Sequence, residues 1–202
     1  MAYALYISHP QVVMDPDVLV PNWSLSARGR ERAQGFAGAT LVKGLKRLVS
    51  SHEVKARETA GILGAALGIA VEEHSGFEEI DRSVPGYVPA DRFETLANLC
   101  FARPEESAEG WERAVDAQAR VVAAFRAVLA THDASQPIGF VGHGGVGTLL
   151  KSALAQRAIS RAGDQPLGGG NAYMMRLPDG LLLGDWMPFE RFAGFGESAH
   201  SQ

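Results

Sequence analysis

The chain has 202 residues, 46% of them hydrophobic, with three Trp and nine Phe, enough to bury a substantial core in one domain of ordinary size. A formal net charge of -4 and a pI near 5.9 exclude the basic face that nucleic acid or an acidic membrane calls for, so an anionic ligand has to be met by local cations. Cys100 is the only cysteine, which excludes an internal disulfide or a cysteine-based zinc site, and with no leader pattern or bilayer-length apolar run a cytoplasmic protein is expected.

Ala2 to Ser8 is short, apolar and closed by His9-Pro10, which predicts a buried strand ending in a turn, with His9 at its carboxyl end. Ser26 can cap a helix running to about Leu41, with Ala33, Phe36, Ala37 and Leu41 on one face. Leu45 to Ser50 reads as a second strand. The stretch VKARETAGILGAALG follows as a helix with Ala56, Ala60, Leu63 and Leu67 on its apolar stripe and Gly68 as its stop. Ile69 to Glu73 is a third strand. From about Ser83 to Gly110 regularity fades among Pro85, Gly86, Pro89 and Pro104, so the segment 83–110 reads as an insertion into a single domain spanning 1–202.

A long helix is expected from about Trp111 to Ala130, then a fourth strand from Pro137 to Val141, a turn at Gly142 to Gly145, and a helix from Val146. Ala172 to Leu177 and Leu181 to Trp186 flank Pro178-Asp179-Gly180, a hairpin signal whose outer strand could pair with another chain. The end, AGFGESAHSQ, is small and polar and is expected to fray. Strands alternating with helices and closing in a hairpin predict a three-layer α/β/α sandwich, mostly parallel with an antiparallel edge strand.

Within GFVGHGGVGTLL, Gly142, Gly144 and Gly147 fall at the dinucleotide-loop spacing G-x-G-x-x-G. That reading needs a strand ending in an acid about 20 residues on. Asp164 lies near that distance, but RAISRAGDQP has no strand to carry it, so the glycines read as clearance around His143. His9 and His143 then stand at matching positions, each just after a strand, where open α/β sheets place their ligands.

Six segments in order carry a resemblance to the histidine phosphatase superfamily, with its phosphoglycerate mutase-like fold. YISHP resembles the first-strand motif of the nucleophilic histidine. WSLSARGRERA is similar to Leu-Ser/Thr-x-x-Gly-x-x-x-Ala, and VSSHEVKARETA to Ser-x-x-x-Arg-Ala-x-x-Thr-Ala. FEEIDR resembles the segment bearing the general acid, GWERA the Gly-Glu segment before the long helix, and FVGHGGVGTLL the motif of the second histidine. The resemblance implies a phosphomonoester hydrolase. His9 would be the nucleophile that becomes phosphohistidine, Glu79 the general acid with Glu78 as fallback, and His143 with the Gly144-Gly145 turn the stabiliser of the phosphoryl charge. It implies no metal and no cofactor, and as partner a phosphorylated small molecule or phosphoprotein; it leaves oligomeric state open.

The chain also departs from the family. Ser8-His9-Pro10 stands where the family has Arg-His-Gly, and Lys55 occupies the second arginine position. Ser8 and Lys55 are the phosphate ligands these positions imply, one offering a hydroxyl and the other a point charge without a bidentate fork. Losing two charge-assisted contacts costs roughly three orders of magnitude in rate unless another cation replaces them. Arg82, Arg57, Arg28 and Arg30 are the candidates, with Arg57 reading best as a solvated helix residue. A weak or inactive member that binds a phosphorylated ligand or a protein partner is therefore the alternative. His52, Arg82 and Glu112 are further candidate substrate contacts, and Glu112 reads equally as a helix-start carboxylate. Trp111, Phe93, Leu96 and Phe101 either roof the pocket or form the insertion's own core. Asn171 either turns toward His143 or completes a loop. His74, His132 and His200 read as surface residues.

Overall fold

The computed structural model describes residues 2–192, so the fraying expected at 193–202 and His200 fall outside it. Strand β1 (Tyr3–Ser8) lies inside a six-stranded sheet and is buried on both faces, which is why it reads as a continuous apolar run. Ala4 and Tyr6 enter one core cluster, while Leu5 and Ile7 enter the other. The sheet adds β2 (Arg47–Ser50), β3 (Val71–Glu73), β4 (Ile138–Gly142), β5 (Asn171–Arg176) and β6 (Met187–Pro188) in the order β3-β2-β4-β1-β5-β6. The β3-β2, β2-β4 and β4-β1 pairings are parallel, and β1-β5 and β5-β6 are antiparallel.

Helices α1 (Ala27–Ala37) and α3 (Val54–Leu67) cover one face through Phe36, Ala60 and Leu63. On the other face lie α5 (Ala114–Ala130) and α6 (Gly144–Leu154), with Val121, Phe125 and Leu149 inward. The expected three-layer α/β/α sandwich with antiparallel strands at one edge is what forms. Ser26 caps α1 by accepting the Gly29 N–H at 3.1 Å, and α3 stops at Gly68 with φ of 68°. No helix among the described residues is long and apolar enough to cross a membrane.

Several boundaries differ from the expectation, among them the start of the long helix, at Ala114 rather than Trp111, and of β3, at Val71 rather than Ile69. The first helix breaks at Gly38 and Ala39, and a four-residue helix α2 (Thr40–Lys43) follows. The segment 83–110 contains a full helix, α4 (Ala90–Ala102), whose Leu96, Ala97, Cys100 and Phe101 join the main core rather than a separate one. Helix α6 starts at Gly144, two residues earlier than Val146. The hairpin turns at Pro178-Asp179-Gly180, but its return arm makes only an isolated Met175–Leu182 bridge before β6. Trp186 leaves the ladder to pack edge-on against Tyr6 and Tyr173, at centroid distances of 5.8 and 4.7 Å, and core burial wins over the continued strand.

Candidate active site

The carboxyl ends of four adjacent parallel strands gather the chemistry. His9 follows β1, His143 follows β4 and is the N-cap residue of α6, Ser51 and Glu53 follow β2, and Glu79 lies in the loop after β3. Because Ser8 and Gly142 are register partners, the two histidines emerge side by side, their rings edge to face with centroids 5.2 Å apart.

His9 pairs its Nδ1 with Pro10 O at 2.8 Å, so Nδ1 carries the proton and Nε2 keeps its lone pair. Burial, and then the Lys55 charge, lowers its pKa to about 4, leaving the imidazole neutral at physiological pH. His143 is fully buried, and burial holds its pKa well below the usual value despite the Glu53 charge. Its Nε2 lies 2.9 Å from Ser51 Oγ. Ser51 Oγ also accepts the Glu53 N–H at 3.2 Å, and its second lone pair and its proton let it pair with either tautomer of the ring, Nε2–H or Nδ1–H. That Nδ1 has no hydrogen-bond partner among the described residues.

Glu53 is the residue the sequence reading missed. One carboxylate oxygen pairs with Lys55, and the other accepts the Glu79 N–H at 2.8 Å and lies 3.5 Å from His143 Nε2. Burial pushes its pKa up, but the Lys55 ammonium and these hydrogen bonds outweigh burial and bring it below the usual carboxylate value. Lys55 donates also to Val20 O at 2.8 Å, so two of its three donors are engaged away from any ligand. A carboxylate two residues before a lysine carries no pattern that separates it from a surface helix start.

Glu79 accepts the N–H groups of Gly145 at 3.1 Å and Val146 at 3.0 Å, which fixes it on the N-terminus of α6. Gly145 allows this approach, since a Cβ there would sit 2.5 Å from Glu79 Oε1. Arg120 of α5, also missed, holds the loop by donating to the carbonyls of Gly76, Glu78 and Glu79. Glu112, expected near substrate, pairs with Arg120 at 2.6 Å, accepts the Asp81 N–H at 3.1 Å and lines a hollow together with Glu79 and Arg82. Glu78 turns back to the Gly76 N–H and does not line the cleft that holds His9 and Glu79.

That cleft, of about 220 Å³, is lined by His9, Glu79, Arg82, Gly144, Gln165 and others, with Phe93, Phe101 and Trp111 along its wall. A cavity of about 650 Å³ shares Glu79, Ile80 and Arg82 with it and is bordered by residues 16–22 and by His52, which is exposed and 3.0 Å from Glu73. The expectation that Ser8 offers its hydroxyl to a phosphoryl group does not match its bonds. Ser8 Oγ, fully buried, donates to Gln165 Oε1 at 2.6 Å and accepts the Asn171 N–H at 3.0 Å. Asn171 completes the same loop through Gln165 Oε1 and Pro166 O. Arg30 pairs with Glu58 and Arg57 with Glu73, and neither they nor Arg28 line the cleft. No group of three or more His, Cys, Asp or Glu side chains among the described residues is arranged to hold a metal ion.

The family model of the histidine phosphatase superfamily (branch 1) matches residues 20–177, and the chain belongs to that superfamily. The match begins after Ser8-His9-Pro10. Among solved structures, the chain is similar to a mycobacterial glucosyl-3-phosphoglycerate phosphatase in complex with VO3, at 20% identity and a TM-score of 0.72 over 87% of this chain and 92% of that one. Bacillus stearothermophilus YhfR gives 18% identity and a TM-score of 0.73 over 90% and 94%. Mycobacterial hydrolase 1 gives 19% and 0.73 over 86% and 88%. No curated protein matches the chain.

Proposed function

We propose that the protein is a phosphomonoester hydrolase that acts through a phosphohistidine at His9 on a small phosphorylated metabolite or a phosphoprotein in the cytoplasm. The observation that carries this reading is the neutral His9, its Nδ1 proton held on Pro10 O, set edge to face with His143 and sharing a cleft with Glu79. His9 Nε2 attacks phosphorus; a P–N bond forms as the ester P–O bond breaks, and the departing oxygen takes a proton from Glu79. Water then attacks the phosphohistidine, its proton passes to Glu79, and the P–N bond breaks to release phosphate and neutral His9. His143, protonated at its unpartnered Nδ1, and the Gly144 N–H at the start of α6 stabilise charge on the phosphoryl oxygens. The adjoining cavity of about 650 Å³ gives the alcohol part of a substrate its room.

A second reading, a slow or inactive member that binds a phosphorylated ligand or a protein partner, draws support from Ser8 and Lys55, whose side chains are engaged within the fold. Phosphate release from an aryl phosphate by the protein and by His9→Ala separates the two. The hydrolase reading expects turnover that falls at least about 1000-fold in the variant. No turnover by either protein, with phosphate binding retained, moves the binding reading ahead.

A further inference from the structure

We propose that the phosphoryl group in the His9 cleft is held by the Arg82 guanidinium and the Gln165 carboxamide, which together replace the two arginines missing at Ser8 and Lys55. This rests on the phosphatase reading above. The described residues lining the cleft include two arginines, Arg82 and Arg161. Arg161 is engaged by Glu94 at 2.7 Å, Asn98 at 2.9 Å and Asp164 at 2.9 Å. Lys55 is bound to Glu53 and Val20. Arg82 alone among these has neither an acidic partner nor a hydrogen-bond acceptor among the described residues, although it is half-buried.

The aromatic residues of the segment before α5 explain how an unpaired guanidinium is kept in place. Arg82 Cζ lies 4.8 Å from the Phe93 ring centroid and 5.8 Å from that of Trp111, and the two rings pack on each other at 5.6 Å. Cation–π contact with the two rings holds the guanidinium beside them, while its N–H fork has no acceptor among the described residues and is free for an oxyanion edge. Its charge reaches the reacting groups, since it lowers the proton affinity of both His9 and His143.

Gln165 supplies the second donor, and Ser8 gives it its orientation. Ser8 Oγ and Asn171 Nδ2 both donate to Gln165 Oε1, at 2.6 and 3.0 Å, so the amide oxygen is turned into the fold and the NH2 group points the other way. That nitrogen lies against Gly144, where a Cβ would stand only 1.9 Å from it, at the start of α6. The serine at the usual arginine position is therefore the anchor for a neutral donor, and the Gly144 N–H beside it is the first free amide of the helix.

Isothermal titration with inorganic phosphate and with orthovanadate, alongside 4-nitrophenyl phosphate kinetics, tests the assignment on Arg82→Ala, Arg82→Lys and Gln165→Glu. Phosphate affinity is expected to fall at least about 30-fold in Arg82→Ala and less in Arg82→Lys, which keeps the charge without the fork. Added guanidinium ion restores part of the Arg82→Ala activity, a response a packing role does not give. Gln165→Glu is isosteric, keeps the acceptor for Ser8 and Asn171, and is expected to lose at least about 10-fold by setting a carboxylate against the phosphoryl oxygens. If the wild type binds phosphate and the variants bind within about threefold of it, this assignment is overturned while the phosphatase reading stands. Should Arg82→Ala not fold, Arg82→Lys and Gln165→Glu decide on the same criterion. A wild type that neither binds phosphate or vanadate nor hydrolyses ester overturns both.

Discussion

His9 owes its chemistry to what surrounds it rather than to its own pattern. Burial and Lys55 hold its pKa at about 4, below the ordinary histidine value, so it stays neutral as pH falls through 6.5 and takes its proton only near 4. Titration of the imidazole by NMR is expected to show that delayed protonation, and Lys55→Met is expected to raise the midpoint by removing a cation and exposing His9 to an unpaired Glu53. Glu79→Gln supplies a second check, because a general acid matters most for a poor leaving group. Alkyl phosphate turnover is expected to fall by about 100-fold or more, and nitrophenyl phosphate turnover much less. Equal losses on both esters would make Glu79 a structural ligand of α6 only. The two histidines and Glu79 that the fold gathers at one sheet edge were legible as candidates in the sequence because their motifs stand in order. Glu53, Arg120 and Gln165 were not, since each acts through a partner 26, 44 or 157 positions away, at Glu79, Gly76 and Ser8.

At the scale of elements, α6 is the part on which the site depends most. Its amino-terminal glycines give room for neighbours: Glu79 presses on Gly145, and a Cβ at Gly147 would come 2.4 Å from Tyr6 Cε1 and 2.8 Å from Trp186. The glycine-rich loop that suggests a dinucleotide therefore clears space for aromatic packing and for Glu79, where the sequence reading expected clearance around His143 itself. Gly147→Ala is expected to cost about 1–3 kcal/mol by overpacking, read as a lower urea midpoint at unchanged slope; an unchanged midpoint would show that Tyr6 and Trp186 yield freely. The long helices and the parallel strands were legible because periodicity and caps agree. The return arm after Gly180 was not, because a β-compatible run such as Leu181 to Trp186 does not reveal that Trp186 belongs in the core.

For the whole molecule, the buried neutral histidines tie stability to pH. Both His9 and His143 have folded pKa values below that of the unfolded chain, so the folded state binds fewer protons between 6.5 and about 4. Their contribution is fully present above 6.5 and is lost as pH falls through that window. Chemical denaturation across pH 7 to 4 is expected to show falling stability, and His9→Gln a shallower fall; a flat profile would mean that neither ring is held neutral by the fold. The sandwich itself was readable from the alternation of strands and helices, while the identity of the phosphoryl ligands depended on which arginine the folded chain leaves unpaired.

The most direct test is to mix the protein with an aryl phosphate labelled at phosphorus, quench within the first turnover, and locate the label. One acid-labile, base-stable phosphoryl group is expected on His9, absent from His9→Ala. Hydrolysis that proceeds with no phosphohistidine, or that survives undiminished in His9→Ala, would contradict that expectation.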